Sequence, residues 1–254
     1  MLESAETKQG KRGLKWLIAL VVVMVVLAVC LMVAFAFNSS REMHSFAAQD
    51  DTEAIEASKS SKPQVTNAST QVTNLIGLMG LSGDAAITKI GHGAAVQDEA
   101  PMTSVGFSKE ITVLLADEKG DSLSGTPTVT LGLDSDGNVV AASYSAPTSL
   151  LGYGNIAFAD AVQKFHIVEN ILAKAGLTTV TKGSVELPDK SEYSSYGPDR
   201  KTLTSETYTF NGSVEMSGTA YSWTATLDYD YTEANKKGDL AYTVKKIAVS
   251  VMRS

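Results

Sequence analysis

The spacing of apolar residues changes three times along this chain, and each change predicts a different kind of structure. Residues Trp16 to Phe37 read WLIALVVVMVVLAVCLMVAFAF, with no charge, no glycine and no proline. As a helix rising about 1.5 Å per residue, such a run spans about 33 Å, enough for a hydrocarbon core of about 30 Å. Lys8, Lys11, Arg12 and Lys15 precede it. Between it and Ser58 the only Lys or Arg is Arg41, set among Glu42, Asp50, Asp51, Glu53 and Glu56. That bias predicts a cytoplasmic N-terminus, a membrane-spanning helix over 16–37 and an extracytoplasmic remainder. Ala34-Phe35-Ala36 also fits a signal-peptidase site, but the run exceeds the usual apolar core of about 7–15 residues, so a retained anchor is the favoured reading. Cys30 reads as a side chain within the membrane rather than a lipid attachment point, because Val29 is bulky and apolar residues continue beyond it.

After the anchor the pattern fades. Residues 38–72 are rich in Ser, Thr, Ala, Gln and acids and read as a flexible stalk, with an end-to-end distance of about 30–35 Å as a coil. Residues 73–106 form a glycine-rich apolar segment. Leu75, Ile76, Leu78, Met79 and Leu81 are too apolar for a free linker, with Gly77, Gly80 and Gly83 at every third position. These five apolar residues are a candidate interaction patch, set against the plainer reading of a short element packed onto the domain.

From Phe107 to Ser254 the periods are those of a folded domain. Ile111, Val113 and Leu115 alternate with polar residues, as do Val129, Leu131 and Leu133, so both stretches predict strands. Asp134-Ser135-Asp136-Gly137-Asn138 is turn chemistry leading into a strand over Val139–Ser145. Phe158, Val162, Phe165, Val168, Leu172 and Ala175 step by three or four, which predicts one long helix running from an Asn155 cap to a stop at Gly176. A short strand is expected over Thr178–Leu187. Tyr208 to Met216 and Tyr221 to Tyr231 alternate most cleanly, with Trp223 expected in the core against the helix, and each predicts a strand with one dry face. Leu240 to Met252 predicts a last strand, bent by a bulge at Lys245-Lys246, where the apolar phase slips from that of Tyr242 and Val244 to that of Ile247, Val249 and Val251. The fold class expected is α+β, an antiparallel sheet wrapped on one long helix. Thr128-Val129-Thr130-Leu131 and Thr224-Ala225-Thr226-Leu227 share a short pattern, each followed by Asp three residues later, a match that coincidence in strand-forming sequence explains better than an internal repeat.

Charge and composition narrow the function. A net charge of −7 leaves no basic field for a polyanion, so nucleic acid is not an expected partner. One cysteine and three histidines make a disulfide framework impossible within the chain and leave little for a zinc site, and no cofactor or metal is expected. The chain holds no G-x-S-x-G, H-E-x-x-H or P-loop pattern. Asp134, Asp136 and Asn138 resemble the start of a calcium loop, but Val139 stands where glycine is required and Ser145 where Glu is required. The loop 187–201 carries Tyr193 and Tyr196 among polar residues, a candidate ligand-contact pair for a sugar or a peptide. The expected function is therefore a membrane-anchored, extracytoplasmic, non-enzymatic binding module, tethered to the bilayer through 16–37 and docking an envelope protein or polymer. The alternative is a hydrolase or transferase of envelope polymers using Asp189, Glu192 and Asp199.

Overall fold

The alternating stretches do become strands, and they join into one sheet. A computed structural model describes residues 63–101, 107–120 and 123–254; the expected anchor and most of the stalk lie outside the described residues. The strands are β1 (Ala94–Pro101), β2 (Lys109–Leu115), β3 (Thr128–Leu133), β4 (Val139–Pro147), β5 (Ser194–Tyr196), β6 (Leu203–Met216), β7 (Thr219–Asp230) and β8 (Val244–Arg253). Their order is β1-β2-β3-β4-β8-β7-β6-β5, antiparallel throughout. Two meanders, β1–β4 and β5–β8, thus meet at their last strands.

The register makes the halves correspond. Thr128 faces Ser145 in the first half as Thr224 faces Ser250 in the second. Thr112 faces Thr130 as Thr209 faces Thr226. The two halves are related about the Tyr144–Val249 pair, where β4 meets β8. The short shared pattern falls on the equivalent strands β3 and β7.

One face of this sheet carries the core. Ile111, Val113, Val129, Leu131, Tyr144, Ala225, Leu227, Val249 and Val251 join one buried cluster with the helices α1 (Gly83–Ile90), α2 (Phe158–Gln163) and α3 (Ile167–Lys174). Ser82 caps α1 by accepting the Ala85 amide.

The expected single long helix is two. The amides of Lys164 and Phe165 both turn back to the Asp160 carbonyl, and His166 adopts a left-handed backbone at φ 50°. Asn170 Nδ2 holds the Phe165 carbonyl at 2.8 Å. The apolar stripe survives the break, because Phe158, Val162, Val168 and Leu172 stay buried on both pieces. Gly176 ends α3 at φ +104°, and a Cβ there would meet Asn74 Oδ1 at 2.5 Å. The segment before α1 can therefore close over the helix end, where the Ile76 amide reaches the Ala175 carbonyl.

Two other expectations are corrected. Among the described residues no strand forms over Thr178–Leu187; Glu169 Oε1 accepts the Gly183 and Val185 amides instead of a neighbouring ladder. No bulge occurs at Lys245-Lys246, since β8 pairs in unbroken register with β4 and β7 there. Tyr242 belongs to a 3-10 turn over Leu240–Tyr242, so it never shared a strand phase with Val244. The domain also reaches further back than residue 107. The 73–106 segment supplies α1 and β1, and the Thr66 and Ser69 amides bond the carbonyls of Gly152 and Leu150.

Trp223 is 8% exposed and belongs to this core. Its indole covers Gly212 of β6, where an added Cβ would lie 2.6 Å from Cζ2. Trp223→Ala is expected to cost about 3–5 kcal/mol. Gly212→Ala, which forces the indole aside, is expected to cost about 1–3 kcal/mol. Urea unfolding of each variant measures both, and a loss below half a kcal/mol for either contradicts this packing.

Candidate functional site

The apolar residues before α1 are drawn inward. Leu75 and Leu78 are 0% and 1% exposed, and Ile76, Met79 and Leu81 pack against the same core. As a patch for a partner, Leu75 and Leu78 are inaccessible, because the strap at Gly176 and a bond from the Gly80 amide to the Val139 carbonyl hold this segment down.

The 187–201 loop separates its two tyrosines. It is shaped by α4 (Lys190–Tyr193) and by β5, which pairs with the start of β6. Tyr193 is buried and stacks on Phe158 at 5.0 Å between ring centroids. Tyr196, on β5, is 46% exposed. Asp189, Glu192 and Asp199 lie exposed on the same loop. Asp199 is already engaged: it accepts the Thr202 hydroxyl and the Lys201 and Thr202 amides. Those bonds, the Thr202 hydroxyl first, hold its carboxyl down at about 2, so it stays ionised and makes a poor proton donor at neutral pH.

A buried polar cluster lies at this end of the sheet, and spacing alone did not reveal it. Glu206 on the core face of β6 is 7% exposed and accepts the Tyr231 hydroxyl at 2.6 Å, with Ser194 Oγ at 3.5 Å. Lys245, on the core face of β8, donates to the Gly154 carbonyl at 2.8 Å and lies 5.1 Å over the Tyr229 ring. The Tyr229 hydroxyl donates to the Ile156 carbonyl at 3.1 Å. Burial pushes the Lys245 ammonium down, and burial together with the Glu206 bond pushes the Tyr231 phenol far up. Each of these side chains is tied to a protein group, so the cluster pins the 148–156 loop and β5 onto the sheet. The sequence signal was there in part: Lys245 falls in the apolar phase of Ile247, Val249 and Val251, and Glu206 in that of Tyr208 and Phe210.

Asp134, Asp230 and Asp239 are likewise occupied by backbone amides in turns. Asp134 Oδ1 accepts the Asp136 and Asn138 amides, which makes the expected hairpin turn around Gly137 at φ +78°. His92 has a left-handed backbone at φ 54°, and its Nδ1 lies 3.7 Å from Asp117 and 3.8 Å from Glu118. Among the described residues no group of three such side chains is placed to hold a metal.

The remaining unusual feature is an edge. Antiparallel ladders alternate between residues that bond one neighbour and residues that bond the other. The β6–β7 turn is Ser217-Gly218, both left-handed at φ 52° and 76°, so Met216 and Thr219 close the hairpin. The Tyr231 amide bonds the Thr204 carbonyl, which sets the same phase at the far end. Even-numbered residues of β6 therefore bond β7, and Thr207, Thr209, Asn211, Ser213 and Glu215 turn their backbone groups outward. β5 covers β6 only over Leu203–Glu206. Among the described residues nothing pairs with the outer edge from Thr207 to Met216. The first meander differs: β1 covers β2 from Lys109 to Leu115, the stretch that corresponds to Glu206–Gly212.

No protein-family model, no curated protein and no solved structure matches this chain.

Two outcomes follow from the polar contacts. The Asp199 carboxyl, held near 2 against an ordinary 3.8, adds to the order of its loop above about pH 4, and that contribution fades as pH falls through 2. A carbon-detected NMR titration is expected to place its midpoint near 2, and Thr202→Val should return it toward 3.8; a wild-type midpoint already at 3.8 contradicts the hydrogen-bonded turn. Tyr231→Phe leaves a buried acceptor on Glu206 unmade and is expected to cost about 1–3 kcal/mol in urea unfolding.

Proposed function

We propose that this chain is a membrane-anchored, extracytoplasmic, non-enzymatic module that binds by strand addition. The residues 16–37 tether it to the bilayer with the N-terminus in the cytoplasm, and the stalk that follows sets the sheet apart from the headgroups. The observation that supports a binding role is the open edge of β6. Five residues there offer unpaired amides and carbonyls along about 30 Å of strand, and main-chain pairing at such an edge supplies affinity while alternate side chains supply selectivity. Of the three loop acids that acid–base chemistry would draw on, Asp199 is held in a turn by the Thr202 hydroxyl and by the Lys201 and Thr202 amides.

Hydrogen exchange followed by NMR tests the edge. In dilute full-length chain the amides of Thr209, Asn211 and Ser213 are expected to exchange freely, and those of Tyr208, Phe210 and Gly212 slowly. Protection of the odd-numbered amides in the dilute monomer would mean the edge is already closed, and strand addition would have nowhere to act. N-terminal sequencing of the purified protein tests the tether: a mature chain beginning at Phe37 rules out a retained anchor.

A further inference from the structure

The two outer edges of the sheet are built differently. β1 carries the usual obstacles to further pairing: a register shift between Val96 and Asp98, two acids at Asp98 and Glu99, and Pro101 at its end. β6 carries almost none. Its register with β7 runs unbroken from Ser205 to Met216, it contains no proline, and from Thr207 to Met216 its only charge is Glu215. A long, regular, weakly charged edge is normally blunted unless it is used.

The chain itself limits where a strand can be added. Ser194 of β5 faces Glu206, and Tyr193 before it turns into α4. A strand entering the edge therefore has room from Thr209 to Met216, along about 26 Å. The two faces of that stretch differ. Phe210, Val214 and Met216 pack with the core, the last two only partly buried. Between them Gly212 has no side chain, and the Trp223 indole lies over it. An entering strand thus meets a continuous apolar border on the core face. On the other face it meets Thr209, Asn211, Ser213 and Glu215. Thr209 shares a hydroxyl bond with Thr226 at 2.9 Å. Glu215 is exposed and has no ion-pair partner among the described residues.

We infer that the occupant of this edge is an extended segment of another protein in which apolar and polar residues alternate, antiparallel to β6 and with a Lys or Arg opposite Glu215. Every ladder of the sheet is antiparallel, and that pairing is the more stable per residue. Residues directly opposite share a face, so the phase is fixed. The apolar residues of the partner stand opposite Phe210, Gly212, Val214 and Met216, and its polar residues opposite Thr209, Asn211, Ser213 and Glu215. A β-branched residue beside Phe210 makes a pair of the kind that stabilises neighbouring strands. The one opposite Gly212 abuts the indole that already covers that glycine. A slip of one residue turns the partner's apolar side chains to water, and the base opposite Glu215 sets the direction in which the segment lies.

This inference rests on the open-edge reading, and the test separates the two. The probe is the acetylated and amidated peptide Val-Lys-Val-Thr-Val-Thr-Val-Thr, whose first residue faces Met216 and whose last faces Thr209. Added to the dilute full chain, it is expected to slow exchange of the Thr209, Asn211 and Ser213 amides about tenfold or more. N-methyl groups on its second and third Val lie on the side away from β6 and are expected to be tolerated. On its first and second Thr they remove donors aimed at β6, and protection should be lost. A peptide of the same composition without alternation, Val-Val-Lys-Thr-Thr-Val-Val-Thr, should not protect these amides. Glu215→Lys should weaken binding several-fold, and Glu in place of the peptide's Lys should restore it. If the odd-numbered amides exchange freely in the chain alone and neither peptide protects them, or both do alike, this partner is overturned while the open edge stands. If they are protected in the dilute chain alone, the edge itself is overturned. If they become protected only as the chain is concentrated, the edge belongs to a second copy and the inference is overturned as well.

Discussion

Everything in this sheet hangs on the pairing of β4 with β8. Each meander on its own is a four-stranded ribbon with a dry face and nothing large enough to cover it. The pairs from Ala141–Met252 to Pro147–Lys246 fuse the two ribbons into one surface. Tyr144, Ala146, Ile247, Val249 and Val251 then lie at its middle, each 2% exposed or less. The helices have a single broad floor to pack on, and burial of that floor is the main favourable term in the fold. The strands farthest from this seam are also the ones with exposed residues, which is why the features that could meet a partner lie at the sheet edges.

Period-two alternation made most strands legible, because an apolar face and a polar face leave a direct mark in sequence. β2, β3, β4, β6 and β7 were readable for that reason. β1 was not: its residues are almost all exposed, so no apolar alternation marks it. The break between α2 and α3 was hidden because it preserves the apolar stripe and turns on a left-handed His166, a conformation that His gives little warning of. The supposed bulge in β8 came from assigning Tyr242 to the strand when it sits in the preceding turn. The joining of the two meanders was not readable, since the partner of β4 is set by the shape of the whole surface and not by any local pattern.

The candidate chemistry was less legible than the fold. Tyr193 and Tyr196 looked alike in sequence, and only the packing of Phe158 distinguishes the buried one from the exposed one. Glu206 and Lys245 stood in apolar phases, which is the one-dimensional sign of a buried polar group, and their partners Tyr231 and Gly154 come from other segments of the chain. Which edge of β6 is open depends on hydrogen-bond phase, fixed by a turn at one end and by a single amide at the other. Side-chain patterns do not carry that information.

The seam between β4 and β8 also governs how such a sheet can be assembled in time. Residues 141–147 meet residues 246–252 across the whole second half of the domain, whereas every other ladder joins strands that follow one another in the chain. Hairpins of that local kind close in microseconds, but the loop-closure entropy of the seam must be met before its contacts reward it. Contact order therefore favours closing each ribbon before the seam. During that interval β4 and β8, central in the finished sheet, are themselves bare edges, so newly made chains are most exposed to mispairing at the strands that end up best protected.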